Sequence, residues 1–224
     1  MAELVIIGAG GFGRETLDVI EAINRATPKP VHTVVGVVDD APSEEALERL
    51  ADRAIAWLGP IDRWLSEDSE TQAVIGVGSP GARAAIAQKV GRRVFSPALI
   101  HPSALIGSRS QIGIGTVICA GANLSTNVRL GRFVHVNPGV VIGHDSVLED
   151  FVSANPGSIV SGEVHVANGT LLGAGAVILQ GLTVGANATV GAASCVTRNV
   201  PAGAMVKGVP AKEAPLPHGS IDCF

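Results

Sequence analysis

Hydrophobic positions follow two different rhythms along the chain. Up to about residue 97, short apolar runs alternate with helix-like stretches. Residues 4–7 read as a buried strand, and a glycine-rich turn, Gly8-Ala9-Gly10-Gly11-Phe12-Gly13, leads into a helical pattern over residues 15–23. Residues 34–38 form a second strand pattern closing on Asp39-Asp40, and residues 74–77 a third. Ser79-Pro80 then opens a helix with a capping serine and a proline at its first position. Strands alternating with helices predict a small parallel sheet with crossover helices.

From about residue 99 the period becomes six. Of the sixteen positions from Ile106 to Val196 taken six apart, fifteen are Ile, Leu or Val, and the exception is Ala154. At ordinary aliphatic frequency such a run arises on the order of once in 10⁷ tries. Two residues before the aliphatic sits a small or β-branched residue (Ala104, Thr116, Ala122, Ser146, Ser158), and glycine often follows it. This period predicts a parallel β-helix whose aliphatics point inward and whose coils satisfy one another's backbone groups at about 4.8 Å spacing. With three hexads per coil, residues 18 apart lie one above another, and the sixteen hexads make about five coils without a looped insertion. A β-sandwich would show period-two alternation instead.

Composition narrows the class. The 224 residues fit one large domain or two small ones, and 46% hydrophobic content supplies a core. Aromatics are only 3% and tyrosine is absent, so Val, Ile, Leu and Ala must fill thin layers. A net charge of −4 offers no cationic face for nucleic acid. No apolar run reaches the ~18 residues of a membrane span. The start, MAELVIIGAGG, has neither a basic n-region nor a cleavage site, so a signal peptide is not expected. Cys119, Cys195 and Cys223 are too few and too scattered for a disulfide framework or a zinc site. The expectation is a soluble, cytoplasmic, reduced protein that uses no metal.

Six segments then carry a resemblance: residues 7–15, Val37-Val38-Asp39-Asp40, Ile100-His101-Pro102-Ser103-Ala104, residues 137–145, Asn155-Pro156-Gly157 and Gly208-Val209-Pro210-Ala211-Lys212. On these, over about residues 4–212, the chain resembles the hexapeptide-class sugar O- and N-acetyltransferases that carry an N-terminal nucleotide-sugar-binding domain. That group contains sialic acid O-acetyltransferases and bacterial nucleotide-aminosugar N-acetyltransferases. The resemblance implies a Rossmann-like nucleotide-sugar-binding domain (1–97), a left-handed parallel β-helix acetyltransferase domain (98–206) and a C-terminal tail (207–224). It also implies a homotrimer, acetyl-CoA as donor, a nucleotide-linked aminosugar as acceptor, and active sites between neighbouring subunits.

The chemistry concentrates in a few positions. The G-x-G-x-x-G turn between a strand and a helix suits a phosphate, with Gly10, Gly11 and Phe12 nearest the ligand and Asp39 and Asp40 placed to read a ribose. A nucleotide-sugar, a dinucleotide and a purely structural turn are the readings weighed. His144-Asp145 is the central candidate, because acyl transfer to an amine needs a base that works near neutral pH. A carboxylate beside the imidazole would fix its tautomer. Sequence neighbours in extended chain point apart, so this pairing requires His144 to sit at a corner.

Gly162 follows His144 by 18 residues, hence one coil above, and the matching family glycine offers its N–H to the thioester carbonyl. Asn137 matches a family asparagine near the acceptor. Gly173 and Gly191 could admit the pantetheine arm. Many relatives place a second histidine near the acetyl group nine residues after the base. Here that position is Ser153, which would supply a weaker hydrogen bond or be partly replaced by His135. Arg83 and the Ser79-Pro80-Gly81 turn replace a more polar family segment. His101 reads as seating the first coil, and His32, His165 and His218 as solvated side chains.

Three rivals stand beside this reading. One is O-acetylation of sialic acid or another sugar hydroxyl, and one is a non-catalytic nucleotide-sugar-binding scaffold. The third is a zinc hydrolase of the γ-carbonic-anhydrase type. Against the zinc reading, the 9- and 21-residue steps between His135, His144 and His165 put His144 on a different corner from the other two.

Overall fold

The computed structural model describes residues 1–67, 70–91 and 93–215. The sequence readings of His218 and Cys223, and the end of the C-terminal tail, lie outside the described residues.

The first part holds β1 (Ala2–Ile7), α1 (Gly11–Ala26), β2 (His32–Val38), α2 (Glu44–Ala51), α3 (Ile61–Ser66), β3 (Gln72–Ile75) and α4 (Pro80–Val90). Its three strands run parallel in the order β2-β1-β3. Leu4 to Ile7 are fully buried because the central strand of a parallel sheet is covered on both faces. Gly8 turns the chain at a φ of +113°, and a Cβ on Gly13 would lie 1.9 Å from the Gly8 carbonyl oxygen. These two glycines serve the turn and the close approach of α1 to the strand ends.

From Leu99 onward, two-residue strands recur every six residues, and each pairs in parallel with the residue 18 further on, as Ile142 does with Val160 and His135 with Ser153. Seventeen such strands, from Leu99–Ile100 to Cys195–Val196, and the three-residue Met205–Lys207 wind around three faces, giving six turns rather than the expected five. The extra turn comes from a strand ahead of Leu105 and from Met205–Lys207, which joins after a longer connection. Lys212–Ala214 then pairs antiparallel with Met205–Lys207 and closes the sheet edge, so the tail begins as structure.

The core is the predicted aliphatic column, with Ile118, Val136, Ile142, Val160 and Ile178 all fully buried. Ile106 departs from it at 37% exposed, because no coil lies beneath the first one. The small residues two places earlier have a task the pattern did not specify. Thr116 Oγ1 donates to the Gly131 carbonyl and accepts from Val134 N–H, satisfying corner backbone that has no ladder partner.

The three faces of the solenoid differ in character. The face of eight strands carries Leu99, Val117 and Cys119, which pack against Leu17 and Ile20 of α1, and so it is covered by the α/β part. The outward column on the face of six strands runs Leu105, Asn123, Val141 and Ile159, three exposed apolar residues interrupted by one polar one. The face of five strands is more polar, with Gln111, Arg129, Val147, His165 and Thr183 in one column.

Candidate active site

His144 and Asp145 lie at the corner between the six- and five-strand faces. Asp145 adopts a left-handed backbone with a φ of 61°, held by its N–H on the Thr126 carbonyl of the preceding coil. That turn brings adjacent side chains together, and Nδ1 of His144 sits 2.8 Å from Oδ2 of Asp145. Asn127, one coil earlier and likewise left-handed, donates from Nδ2 to the other carboxylate oxygen at 2.9 Å. The Asn127 hydrogen bond first, and the His144 contact second, hold the Asp145 carboxyl below its ordinary range. An ionised Asp145 makes Nδ1 the protonated nitrogen, which leaves a lone pair on Nε2. Both side chains are about half exposed.

Gly162 lies against the imidazole, where a Cβ would fall 2.5 Å from Nε2 and 2.7 Å from Cε1. The eighteen-residue register that predicted this neighbour therefore holds. It adds a demand beyond an N–H group, since any side chain at 162 would occupy the ring's place. Glu163 N–H on the His144 carbonyl fixes the two coils here. Beside the pair, on the five-strand face, opens a groove of about 730 Å³ lined by Arg109, Gln111, Asn127, Arg129, Asp145 and Val147.

Asn127 was not singled out from the sequence, although its signal was present: it lies 18 residues before Asp145, at a corner where glycine is the easier choice. Asn127→Ala is expected to lower kcat about fivefold, the scale of one lost neutral hydrogen bond. It is also expected to move the Asp145 titration upward, read by carboxyl-carbon NMR. Because the native carboxyl titrates low, its stabilising contribution is present above the ordinary carboxylate range and is lost as pH falls through its native value. An unmoved titration would rule out the orienting role.

At the strand ends of the α/β part, Gly10 and Gly11 are exposed, with open space where a side chain would stand. They open α1, whose first turn carries no acidic residue, so its free N–H groups suit an anion. Asp39 braces this turn, accepting from Ala9 N–H at 2.8 Å and from Ala41 N–H at 2.9 Å. Asp40 accepts from Ile61 N–H at the start of α3 and reaches Lys89. Both aspartates border a cavity of about 140 Å³ whose other walls are Ile7, Gly8, Ile61, Val77 and Ile86. Gly10, Gly11, Asp39 and Asp40 thus come together at one end of the sheet.

Other expectations are corrected. Phe12 turns toward the solenoid and stacks on His135 with ring centroids 4.0 Å apart, so that face of its ring is not open to a substrate. Ser153 is buried, donating to the Gly78 carbonyl and accepting from Arg83. It does not sit beside an acetyl group near His144, because it lies on the face that the α/β part covers. His135 is on that same face, with Nε2 3.1 Å from the Ile75 carbonyl. Burial, followed by the charge on Arg83, holds its pKa well below the ordinary histidine value, so it cannot stand in for the missing second histidine.

Asn137 is half-buried and donates to Asn155. It shares with Gly173 and Gly191 the corner between the eight- and six-strand faces. A Cβ on Gly173 would meet Ala192 N at 2.5 Å, so coil stacking alone demands that glycine.

His135, His144 and His165 occupy two faces and a corner, so His135 and His165 do not share a side as the spacing suggested. His165 pairs with Glu149 at 2.8 Å. Among the described residues no group of three or more His, Cys, Asp and Glu could hold a metal. His32 is half-buried rather than solvated, and burial lowers its pKa. His101 accepts from Ser103 N–H in the first turn of the solenoid. Burial, then Glu15 and Asp18, push the Cys119 thiol up to about 12, which leaves no nucleophilic thiolate there.

A hexad solenoid with an oriented histidine at one corner, behind an α/β part with a glycine turn and paired aspartates, defines a two-part hexapeptide-repeat protein. Residues 3–90 match the family model described as PglD N-terminal domain. A GDP-perosamine N-acetyltransferase of Escherichia coli O157:H7 is 28% identical over 148 residues, covering 65% of this chain and 63% of that protein. The match therefore spans just under two thirds of that curated relative's length.

Two solved structures are similar over nearly the whole chain. The acetyltransferase domain of PglB from Neisseria gonorrhoeae FA1090 is 26% identical, with a TM-score of 0.82 over 96% of this chain and 100% of that one. That domain has also been solved with acetyl coenzyme A. PerB from Caulobacter crescentus, in complex with CoA and GDP-perosamine, is 27% identical, with a TM-score of 0.77 over 96% of this chain and 98% of that one. Residues 3–90 thus match the PglD-type N-terminal domain, and over nearly its whole length the chain is similar to solved sugar acetyltransferases. No helix among the described residues is long and apolar enough to cross a membrane.

Proposed function

We propose that the protein transfers the acetyl group of acetyl-CoA to the amino group of a nucleotide-linked aminosugar, with His144 as general base. The observation that carries this reading is the His144–Asp145 hydrogen bond, which leaves Nε2 free at an open corner beside Gly162. In the proposed reaction the neutral sugar amine attacks the thioester carbonyl carbon and Nε2 takes the amine proton. The Gly162 N–H steadies the oxyanion, and collapse of the tetrahedral adduct breaks the C–S bond while protonated Nε2 returns its proton to the leaving sulfur, releasing the coenzyme A thiol. No covalent enzyme intermediate is required. The relatives solved with acetyl coenzyme A and with CoA and GDP-perosamine support both substrates.

The division of labour follows the chain, with residues 1–97 holding the nucleotide and residues 98–206 the coenzyme. Within one copy, Gly10, Gly11, Asp39 and Asp40 belong to the part covering the eight-strand face, while His144 occupies the corner opposite that face. The Asn137–Gly173–Gly191 corner is likewise separate from it. A homotrimer that sets one copy's His144 corner against its neighbour unites these groups, and the adjoining exposed pair Val141 and Ile159 gives that contact an apolar element. A cytoplasmic setting belongs to the same reading, in keeping with Cys119 and Cys195, both unpaired among the described residues.

The test is a panel of GDP-, UDP- and dTDP-linked aminosugars with acetyl-CoA, reading free thiol, with sedimentation for the oligomer. Transfer to one nucleotide class is expected. Thiol release that is equally fast with the sugar lacking its nucleotide, or absent with every acceptor, overturns the reading.

A further inference from the structure

Arg83 on α4 is fully buried, yet among the described residues no carboxylate is its partner. Its Nε donates to the Phe133 carbonyl at 2.8 Å, and Nη1 donates to the carbonyls of Val77 and Gly78. Nη2 donates to the carbonyls of Phe151 and Val152 and to Ser153 Oγ. A charged group withdrawn from water is tolerated only when dipoles replace its hydration, and here five carbonyls and a hydroxyl do so. Burial still pushes its pKa down to about 9, which leaves it charged at neutral pH.

The partners fall into two groups. Phe133, Phe151, Val152 and Ser153 belong to successive coils of the solenoid, and both phenylalanines adopt left-handed backbones at the corner where their carbonyls meet the guanidinium. Val77 and Gly78 form the segment after β3, and the Ser153 hydroxyl also donates to Gly78. Val77 is a wall of the cavity bordered by Asp39 and Asp40, and Ile86, one turn after Arg83 on the same helix, is another. One guanidinium therefore grips two coils with one side and the Val77–Gly78 segment with the other, from a helix that itself supplies the cavity wall at Ile86.

We propose that Arg83, seconded by Ser153, is a positioning residue that fixes the nucleotide cavity to the solenoid and so sets where the acceptor reaches the acetyl group. This rests on the acetyl-transfer reading above. Arg83 touches no substrate in this role. A lysine keeps the charge but cannot span both groups of carbonyls, because its donors radiate from one atom.

The experiment compares Arg83→Lys and Ser153→Ala with the full-length wild type, well below the thermal midpoint of each. The KM for the nucleotide-sugar is expected to rise about tenfold or more in Arg83→Lys and about threefold in Ser153→Ala, the scale of one charge-assisted or one neutral hydrogen bond. The acetyl-CoA KM, and kcat at saturating acceptor, are expected to stay within about twofold. Guanidinium added to Arg83→Ala is expected to restore the acceptor KM, while ammonium is not.

An unchanged acceptor KM with only a lowered thermal midpoint overturns the proposal, as does a parallel rise in the acetyl-CoA KM. Should Arg83→Lys fail to fold, Ser153→Ala decides alone. GDP and UDP binding by calorimetry separates the two ideas. Weaker nucleotide binding in Ser153→Ala, with no acetyl transfer by the wild type, sinks the reaction but keeps the latch. Full transfer with nucleotide binding and acceptor KM unmoved sinks the latch alone.

Discussion

His144→Ala is expected to lower kcat for acetyl transfer by at least ~10²-fold, the lower end of the range for a positioned general base. The two KM values should change little. The imidazole is half exposed and, among the described residues, hydrogen-bonds Asp145 alone, through Nδ1, so its removal takes away a group needed to move a proton rather than one that holds either substrate. A loss in kcat and kcat/KM together is the signature of an interaction made in the transition state. Asp145→Asn should cost a comparable factor. An amide keeps the hydrogen-bonding shape but can offer N–H to Nδ1, which would reverse the tautomer and place the ring proton on Nε2. A His144→Ala variant that retains more than a tenth of wild-type turnover, with its fold intact by circular dichroism, would show that another group accepts the amine proton.

Most of the solenoid was legible because its order is local and repetitive. Each hexad states its own inward residue, and three hexads per turn convert sequence distance directly into stacking. That conversion placed Gly162 against His144 without any long-range information. It carried equal information about Asn127, which the same arithmetic run backward from Asp145 would have found. What the repeat could not express is which face another part of the chain covers. Ser153 and His135 share a register with residues that look exposed on a bare prism, yet both are buried beneath the α/β part. Arg83 reaches Phe133 and Ser153 across 50 and 70 residues, contacts that no periodicity encodes. Phe12 was misjudged for the same reason: a glycine-rich turn announces a ligand, but its aromatic ring had a neighbour on another domain.

Gly162→Ala separates two uses of one residue. If Gly162 serves only through its N–H, alanine retains that group, and its backbone is not in the left-handed region, so little should change. The position of the imidazole argues otherwise. A methyl group 2.5 Å from Nε2 is far inside contact distance, and the ring is the movable partner, because the coil is tied through Glu163 N–H to the His144 carbonyl. Displacing a reacting atom by about 1 Å costs on the order of 10²-fold in rate, so a loss of that size is expected with only a small shift in thermal midpoint. The double variant His144→Ala/Gly162→Ala supplies the decisive comparison. With the imidazole gone, the methyl group has room, and the second substitution should add almost nothing to the first. Losses that multiply would instead mean that Gly162 acts on the thioester independently of the histidine, with the amide geometry rather than the ring's place as the reason for glycine.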